Sequence, residues 1–351
     1  MIKSSPRISL RKMGGKHNLK ERCNKILEDN GGIVADRARI ILLEDPALKD
    51  LRPPLEFVSK NWRDPLTPSL IALSCEAVGG RSELTYEAAL GMSLMTLSCN
   101  IWDDMVDRTF SRLFRQTLLG KFNEGAALII GGLASAKAFS IINQMNVDPI
   151  KRQTIARLFW DFCAKIAKAE TVNLRLRNQA SVSSKKKLWL IKIQAANLET
   201  CLKIGAVLGN GTEDEVKHLS KYGSYLGMIL ELWRDFNISI NFTLELAEKI
   251  KRGTLPYSLL WARECSERIR KKLETLANRN TIEPSDIKEI VKNTLETKAL
   301  NNTLKIIRKL AEKAKEELFY LKNQATATQT LEFFVKAQPQ LFSESLSPLQ
   351  T

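Results

Sequence analysis

Histidine is almost absent from this chain, with only two among 351 residues, and the six cysteines stand singly without a Cys-x-x-Cys pair. Structural zinc sites need four such ligands at short, regular spacings, so this composition argues against a zinc-binding module. Cysteines scattered through helical patterns are typical of small buried residues in a protein of a reducing compartment. We therefore expect a cytoplasmic protein without disulfides.

Long apolar runs are also missing. The most apolar stretch, around Ala126 to Ala136, is interrupted by glycines and closed by Lys137, well short of the run of about 18 to 20 residues that spans a bilayer. The N-terminus lacks the apolar core of a secretory signal. No membrane-spanning segment is expected.

Strand-like alternation is nearly absent, whereas apolar residues recur at helical spacing from about Ile26 onward. With 44% apolar residues the chain can bury a large core, and no break divides it into two units. We predict one all-α domain over residues 23–323, a helical bundle with a central cavity, followed by a loose tail over 324–351. Predicted helices cover 69–78, 82–103, 124–144, 149–177, 187–208, 213–232 and 255–277, with two more between 284 and 322.

The formal charge is +15, and much of the excess lies in residues 1–22, which we predict to be a flexible basic arm. Charge alone fits nucleic acid, an anionic membrane surface, a phosphorylated substrate or a well-solvated surface. Nucleic acid is not expected as a partner, because the basic segment has no interleaved aromatic residues and no known nucleic-acid-binding motif. Peripheral contact with an anionic membrane through the arm stays open.

Three carboxylates follow the most apolar predicted helix, at Asp103, Asp104 and Asp107. On a helix the first and last lie one turn apart and the middle one is rotated by about 100°, so all three share one face. Like charges at this spacing repel each other, and the negative end of the helix dipole adds to the cost. One alternative is an exposed acidic turn balanced by arginines; the other is a magnesium site facing a cavity.

Several motifs, taken in their order along the chain, resemble the polyprenyl synthetase family of trans-isoprenyl diphosphate synthases. They are Glu76 to Gly80, the Asp-Asp-x-x-Asp cluster with Arg112 five residues later, the apolar segment with Gly131, the Gly205 to Gly209 helix end, and Lys251 to Pro256. The resemblance covers roughly residues 55 to 320. It implies a bundle in which two or three Mg²⁺ ions join aspartates to an allylic diphosphate, which condenses with isopentenyl diphosphate.

Carried onto this chain, the resemblance gives Asp103, Asp104 and Asp107 as metal ligands and Arg112 as a diphosphate ligand. The family's second aspartate-rich motif falls on Leu230 to Ile238, where Asp235 is the only aspartate and the remaining predicted metal ligand. Arg234 either brings a fixed positive charge to the diphosphate or forms a surface ion pair with Glu231. Further substrate-binding candidates are Lys60, Arg63, Gln194, Lys251 and Arg252.

In this family, the residues beneath the first aspartates set product length. Here Ser98 and Cys99 lie five and four positions before Asp103, where bulky aromatic residues would close the pocket. Met95 and Met92 lie one and two turns further down as an adaptable floor. Small residues at the top predict a deep pocket and a geranylgeranyl or longer product.

Three functions stay open at this point. The first is a magnesium-dependent prenyltransferase acting on allylic and isopentenyl diphosphates. The second is a non-catalytic or modulating subunit that pairs with an active synthase, which the eroded second motif favours. The third is a class I terpene cyclase, whose second metal motif is matched only by Asp235 and Ser239. The resemblance also implies a homodimer, or a heteromer with another synthase subunit.

Overall fold

The computed structural model describes residues 19–112, 115–177, 182–240, 244–322 and 326–350. These residues form an all-helical bundle, as predicted, and their strands are limited to the two-residue pair β1 (Ser111–Arg112) and β2 (Arg115–Gln116). This pair is antiparallel, with Ser111 opposite Gln116 and Arg112 opposite Arg115.

The first half of the bundle contains nine helices among the described residues. They are α1 (Leu19–Ile40), α2 (Arg52–Asn61), α3 (Leu66–Ala77), α4 (Tyr86–Val106), α5 (Leu118–Lys121), α6 (Glu124–Gln144), α7 (Pro149–Leu176), α8 (Ser184–Gln194) and α9 (Ala196–Leu208). Short 3₁₀ turns precede α2 and α4, at Pro46–Leu51 and Ser82–Thr85. The helix predicted over 187–208 is divided at Ala195 into α8 and α9.

The second half begins with α10 (Glu213–Ile240), which extends eight residues beyond its prediction. It continues with α11 (Leu244–Lys251), α12 (Tyr257–Cys265), α13 (Glu267–Ala277), α14 (Pro284–Leu295), α15 (Ala299–Leu318) and α16 (Thr326–Gln350). The single helix predicted over 255–277 is two helices, because Ser266 leaves the helical conformation and its hydroxyl accepts the N–H of Ile269 to begin α13.

Side-chain caps fix where several helices begin. Asn123 caps α6 by accepting the N–H of Ala126, and Asp148 caps α7 ahead of Pro149. Proline at the first helical position loses no hydrogen bond, because the first N–H groups of a helix have no partner within it. These local signals explain why the predicted bounds of α6 and α7 agree with the structure.

Helix α4 lies at the centre of the bundle and contacts α1, α3, α6, α7 and α9. Every residue from Ala88 to Ser98 is buried, as expected for a helix that is apolar on all sides. Close approach to α6 depends on Gly131, because a Cβ there would lie 2.6 Å from Nε1 of Trp102. This packing fixes the direction of α4 and therefore the place where its last turn emerges.

Helix α6 has the length and composition of a membrane-spanning helix, with a mean hydropathy of 1.7 in its most apolar window. The sequence prediction considered only consecutive apolar residues, whereas the isoleucines, leucines and alanines of α6 keep the average high despite its glycines. Only 33% of that window is buried, and its inner face packs against α4. The outer face leaves Leu128 and Ile129 exposed.

The C-terminal prediction was wrong. Residues 326–350 form the helix α16, which packs against α15, α3 and α1. Leu331, Val335 and Phe342 are fully buried, and Phe342 lies 4.6 Å from the ring of Phe236. Threonine, serine and proline suggested a loose segment, but apolar residues at helical spacing bury one face.

The flexible basic arm was predicted over residues 1–22, but its last four residues already belong to α1. The remaining part of the arm, residues 1–18, lies outside the described residues. All six cysteines are free. Cys23, Cys75 and Cys201 are buried as expected, whereas Cys99 and Cys163 are only partly buried and Cys265 is exposed.

Candidate functional site

The carboxylate cluster lies at the C-terminal end of α4. Asp103 and Asp104 belong to its last turn, and Asp107 follows directly, with its N–H donating to the carbonyl of Asp103 at 2.8 Å. Their side chains are 14 to 19% exposed, so the buried helix delivers them to a partly covered surface. The cluster is therefore not the fully exposed acidic turn of the first alternative.

Arg112 joins two of these carboxylates. Its Nη2 donates to Oδ2 of Asp103 and its Nε to Oδ1 of Asp104, both at 2.7 Å. The β1–β2 pair holds Arg112 beneath the end of α4. Two charge-assisted hydrogen bonds from one rigid guanidinium fix the relative position of both aspartates.

Asp107 has its own basic partners, which the sequence prediction missed. Nη2 of Arg177 donates to Oδ1 of Asp107 at 2.6 Å and to the carbonyl of Val106 at 2.8 Å. Nζ of Lys249 lies 3.7 Å from Oδ2 of Asp107. Positive charge at this place offsets both the carboxylates and the negative end of the helix dipole.

The two neighbouring aspartates differ in acidity. Burial alone raises the pKa of Asp103, but the charges of Arg234, Arg112 and Lys249 outweigh it and hold that pKa below its usual value. For Asp104 burial prevails over Arg112, and its pKa rises to about 6. At neutral pH both are mainly ionised, and Asp104 is the one that acid neutralises first.

Asp235 on α10 is occupied by structural contacts. Its Oδ2 accepts the backbone N–H of Tyr257 at 2.9 Å and lies 3.3 Å from Nζ of Lys187. The N–H of Tyr257 is one of the unpaired donors at the start of α12. Ser239 adds a second link, because its hydroxyl lies 2.7 Å from that of Ser258. Both residues that match the cyclase motif thus connect α10 to α12.

Arg234, also on α10, carries a charge that acts on the carboxylate cluster. Its Nε is buried without a hydrogen-bond partner and lies 3.3 Å from Oε2 of Glu231. Glu231 first, and then Asp103, Asp235 and Asp107, raise the pKa of Arg234. The ion pair with Glu231 is therefore present, and the charge of Arg234 also acts on Asp103, whereas a role toward a diphosphate stays a prediction.

Glu170 on α7 is a further residue that the sequence prediction missed. Burial, together with the charges of Asp103 and Asp107, raises its pKa to about 7, and its Oε2 is buried without a hydrogen-bond partner. Glu170, Arg177, Lys187 and Lys249 come from α7, α8 and α11. Helical periodicity predicted the extent of α7 but not of α8 or α11, and it contained no signal for which of their polar residues meet α4.

Arg63 and Lys60 lie apart from the cluster. Arg63 is held by α1, where its Nη2 contacts Oε2 of Glu28 and its Nε contacts Oδ1 of Asp36, each at 2.8 Å. Lys60 is exposed on α2. Adjacent Asp64 caps α3 by accepting the N–H of Leu66.

Lys251 and Arg252 also point elsewhere. Nζ of Lys251 donates to the carbonyl of Asn280, and Arg252 pairs with Glu248 one turn earlier. Lys251 lines a cavity of about 730 Å³ beside α13, away from the aspartates. Gln194 is half-buried at the last turn of α8. Of the basic residues predicted to bind substrate, the structure groups Arg112 and Arg234 with the carboxylates.

The four predicted pocket residues face different neighbours. Ser98 is fully buried and donates to the carbonyl of Gly131 at 2.8 Å, so its side chain is directed at α6. Cys99 is directed at α7, and burial, with Cys163 nearby, raises its pKa to about 12. One turn below, Sδ of Met95 lies 3.6 Å from Sγ of Cys163. Met92 is fully buried.

The described residues contain no group of three His, Cys, Asp or Glu side chains arranged to hold a metal ion by themselves. Mg²⁺ usually binds through one or two carboxylates and keeps its remaining positions for water and phosphate oxygens. Asp103, Asp104 and Asp107 are oxygen donors of the kind that suits it. Asp235 fits less well, because its Oδ2 accepts the backbone N–H of Tyr257, which cannot withdraw as a side chain can, and lies 3.3 Å from Nζ of Lys187.

Solved structures with a similar fold cover nearly the whole chain. The crystal structure of geranylgeranyl pyrophosphate synthetase from Pyrococcus horikoshii covers 92% of this chain and 98% of its own, with a TM-score of 0.77 at 20% identity. That of a decaprenyl diphosphate synthase from Rhodobacter capsulatus covers 92% and 99%, with a TM-score of 0.77 at 16% identity. At such low identity these likenesses establish the fold, which is that of isoprenyl diphosphate synthases.

The family follows from the sequence itself. The model of the Polyprenyl synthetase family matches residues 59–294, well over half of the chain. This chain therefore belongs to the polyprenyl synthetase family, as the ordered motifs predicted.

Curated relatives are distant. The geranylgeranyl diphosphate synthase of Methanosarcina mazei is 25% identical over 171 residues, which is 48% of this chain and 53% of the relative. That of Saccharolobus solfataricus is 25% identical over 189 residues, or 53% and 57%. The geranylfarnesyl diphosphate synthase of Methanosarcina mazei is 23% identical over 249 residues, or 70% and 81%. The chain spans about half the length of the first two.

Proposed function

We propose that this protein is a prenyltransferase that transfers the prenyl group of an allylic diphosphate to isopentenyl diphosphate. The observation that carries the proposal is the carboxylate cluster at the end of the buried helix α4, with Arg112, Arg177 and Lys249 on its carboxylates. Such a site can receive a diphosphate while apolar residues below it receive a prenyl chain.

Asp103, Asp104 and Asp107 would hold the magnesium ions that bind together with the diphosphate. Bound Mg²⁺ neutralises charge on the departing pyrophosphate and so favours cleavage of the allylic carbon–oxygen bond. The chain's own basic residues would assist, because a guanidinium contacts two phosphate oxygens at once. Arg112 and Arg177 would exchange part of their contact with carboxylates for contact with the diphosphate.

The prenyl chain would run along α4 past Cys99 and Met95, on the side of α4 that faces Cys163 of α7. Cys99 is small, so the chain would pass it, and the unbranched methionine below adapts to different lengths. These residues support a product of geranylgeranyl length or longer. The two curated relatives from Methanosarcina mazei are named geranylgeranyl and geranylfarnesyl diphosphate synthase, and both names fall within that range.

The test is incubation of the purified protein with Mg²⁺, isopentenyl diphosphate and each allylic diphosphate in turn. Pyrophosphate release and product length would be measured for the natural protein and for Asp103→Asn. Asp161→Asn, an exposed change on α7, is the matched control. We expect elongated product that is lost in Asp103→Asn and kept in Asp161→Asn; product formation unaffected by Asp103→Asn would refute the site.

A second candidate is ionisation of an allylic diphosphate without isopentenyl diphosphate. It is favoured by one observation: Arg63, a predicted substrate-binding residue, is paired with Glu28 and Asp36 of α1. In the same assay this activity would release pyrophosphate without incorporation of labelled isopentenyl diphosphate. Silence with retained diphosphate binding would instead favour a modulating subunit.

The outer face of α6 supports self-association. Leu128 is 58% exposed and Ile129 49%, Gly132 adjoins open space, and Trp160 on α7 is 67% exposed. Apolar faces of this kind are typical of interfaces between subunits. Light scattering after size exclusion should give a dimer mass, and Leu128→Glu should give a monomer while the control Ile33→Glu does not. A dimer mass for Leu128→Glu would contradict this interface.

A further inference from the structure

The second aspartate-rich segment has changed its role in this chain. Its only aspartate, Asp235, is 5% exposed and is used to hold the start of α12 and Lys187. Neighbouring Phe236 is buried, with its ring 4.6 Å from that of Phe342 on α16. This part of α10 therefore belongs to the packed core and offers no free carboxylate toward the site.

Arg234 stands beside Asp235 but is directed differently. Its side chain is 40% exposed, so it borders open space, whereas its Nε is buried and without a hydrogen-bond partner. An unsatisfied guanidinium N–H is costly to bury unless a partner arrives at another stage. Among the described residues Arg234 forms one ion pair, with Glu231 at 3.3 Å, which leaves further donors of the guanidinium available.

The charge of Arg234 acts on the carboxylate cluster, because Asp103 and Asp107 of α4, together with Glu231 of its own helix, stabilise it. Arg112, the other predicted arginine at this site, is already engaged by Asp103 and Asp104. A dianionic or more highly charged group bound beside Asp103 would thus meet α4 carboxylates on one side and the Arg234 guanidinium on the other.

We propose that Arg234 supplies, as a fixed guanidinium, the positive charge that a metal ion held by a second aspartate motif would supply. The site then binds a diphosphate with metal ions only on the Asp103 side. This rests on the diphosphate site proposed above and adds which groups neutralise the ligand.

Binding of inorganic pyrophosphate, measured by titration calorimetry over a series of free Mg²⁺ concentrations, tests the proposal without requiring turnover. Arg234→Gln removes the positive charge, and Arg234→Lys keeps the charge but lacks the forked guanidinium group. Arg270→Gln is the matched control, because Arg270 pairs with Glu267 three residues earlier, as Arg234 does with Glu231. Circular dichroism checks that each variant folds.

We expect Arg234→Gln to weaken pyrophosphate binding about 10- to 100-fold, the range of a charge-assisted contact, at every Mg²⁺ concentration. Arg234→Lys should lie between it and the natural protein, and Arg270→Gln should bind normally. Arg234→Asp, which introduces a carboxylate, should make the logarithm of the affinity rise more steeply with the logarithm of free Mg²⁺.

Two results would overturn the proposal: Arg234→Gln binding as tightly as Arg270→Gln, or an unchanged Mg²⁺ slope in Arg234→Asp. Both leave the proposed function standing, since the natural protein still binds pyrophosphate. If the natural protein binds no pyrophosphate at any Mg²⁺ concentration, the proposed function itself fails, and this inference with it.

Discussion

Replacing Asp235 by alanine separates two roles for this residue, that of a metal ligand and that of a structural anchor. The change removes the acceptor for the N–H of Tyr257 and the partner of Lys187. Both contacts are buried, since the side chain of Asp235 is 7% exposed and that of Lys187 15%. The structure therefore predicts a fault in folding stability, whereas the motif comparison predicts a fault in metal binding.

The magnitude follows from the groups left behind. Breaking a buried ion pair from one side costs about 3 to 5 kcal/mol, because the remaining charge keeps its desolvation penalty without its partner. The N–H of Tyr257 at the start of α12 loses its acceptor as well, which on its own costs about 1 to 3 kcal/mol. These penalties share one carboxylate and do not add fully, so we expect about 4 kcal/mol less free energy of unfolding.

Urea unfolding followed by circular dichroism, with chelator present, measures this loss. Ser239→Ala is the matched control on the same helix, and removal of its buried hydroxyl contact with Ser258 should cost about 1 kcal/mol. Asp235→Ala combined with Lys187→Met should recover part of the loss, because no charge is then stranded. Unchanged stability in Asp235→Ala together with lost Mg²⁺-dependent pyrophosphate binding would refute the anchoring role.

Three further predictions concern other parts of the site. The pKa of Glu170 rises to about 7 in the folded state, so the folded protein holds more protons than the unfolded chain between about pH 4.5 and 7, and stability should fall as pH rises through this window. With a metal chelator present, Glu170→Gln should remove this loss of stability, which we expect to reach up to about 2 kcal/mol because Glu170 is partly exposed. Parallel curves of stability against pH for Glu170→Gln and the natural protein would contradict this prediction. Cys99→Phe should shorten the product, whereas Ser98→Phe should mainly destabilise the protein, because the larger side chain would clash with Gly131. Chromatography of the products and thermal unfolding distinguish the two effects. Equal product lengths for Cys99→Phe and the natural protein would count against the pocket. Arg63→Gln should lower the free energy of unfolding by about 1 kcal/mol, because the ion pairs that it removes are partly exposed. KM for isopentenyl diphosphate should change less than twofold. A tenfold rise in KM would place Arg63 at the substrate.

Helix positions were largely predictable where a local signal marked them. Asn123 and Asp148 cap α6 and α7 within a few residues of chain, and both helices begin where predicted. The divisions at Ala195 and Ser266 were missed because apolar periodicity continues across both. The tail was misjudged for a related reason: its helix depends on burial of Leu331 and Phe342 against the core, which local composition does not reveal.

The candidate site was predictable only in part. Asp103, Asp104 and Arg112 lie within ten residues of each other in sequence, and the structure joins them by hydrogen bonds. Arg63 was predicted to bind substrate, whereas in the structure it pairs with Glu28 and Asp36, which lie far earlier in the chain. Sequence spacing is informative only for residues that share a helix or a turn.

By itself the sequence determined the all-α class, the family, and the carboxylate cluster at the end of a buried helix, because each depends on periodicity or on neighbours along the chain. Tertiary structure decided that Arg177 and Lys249 neutralise Asp107 and that Asp235 anchors α12. These pairs join helices many residues apart. Their geometry depends on how the helices cross, and charge type alone does not specify which of many lysines and arginines meets which carboxylate.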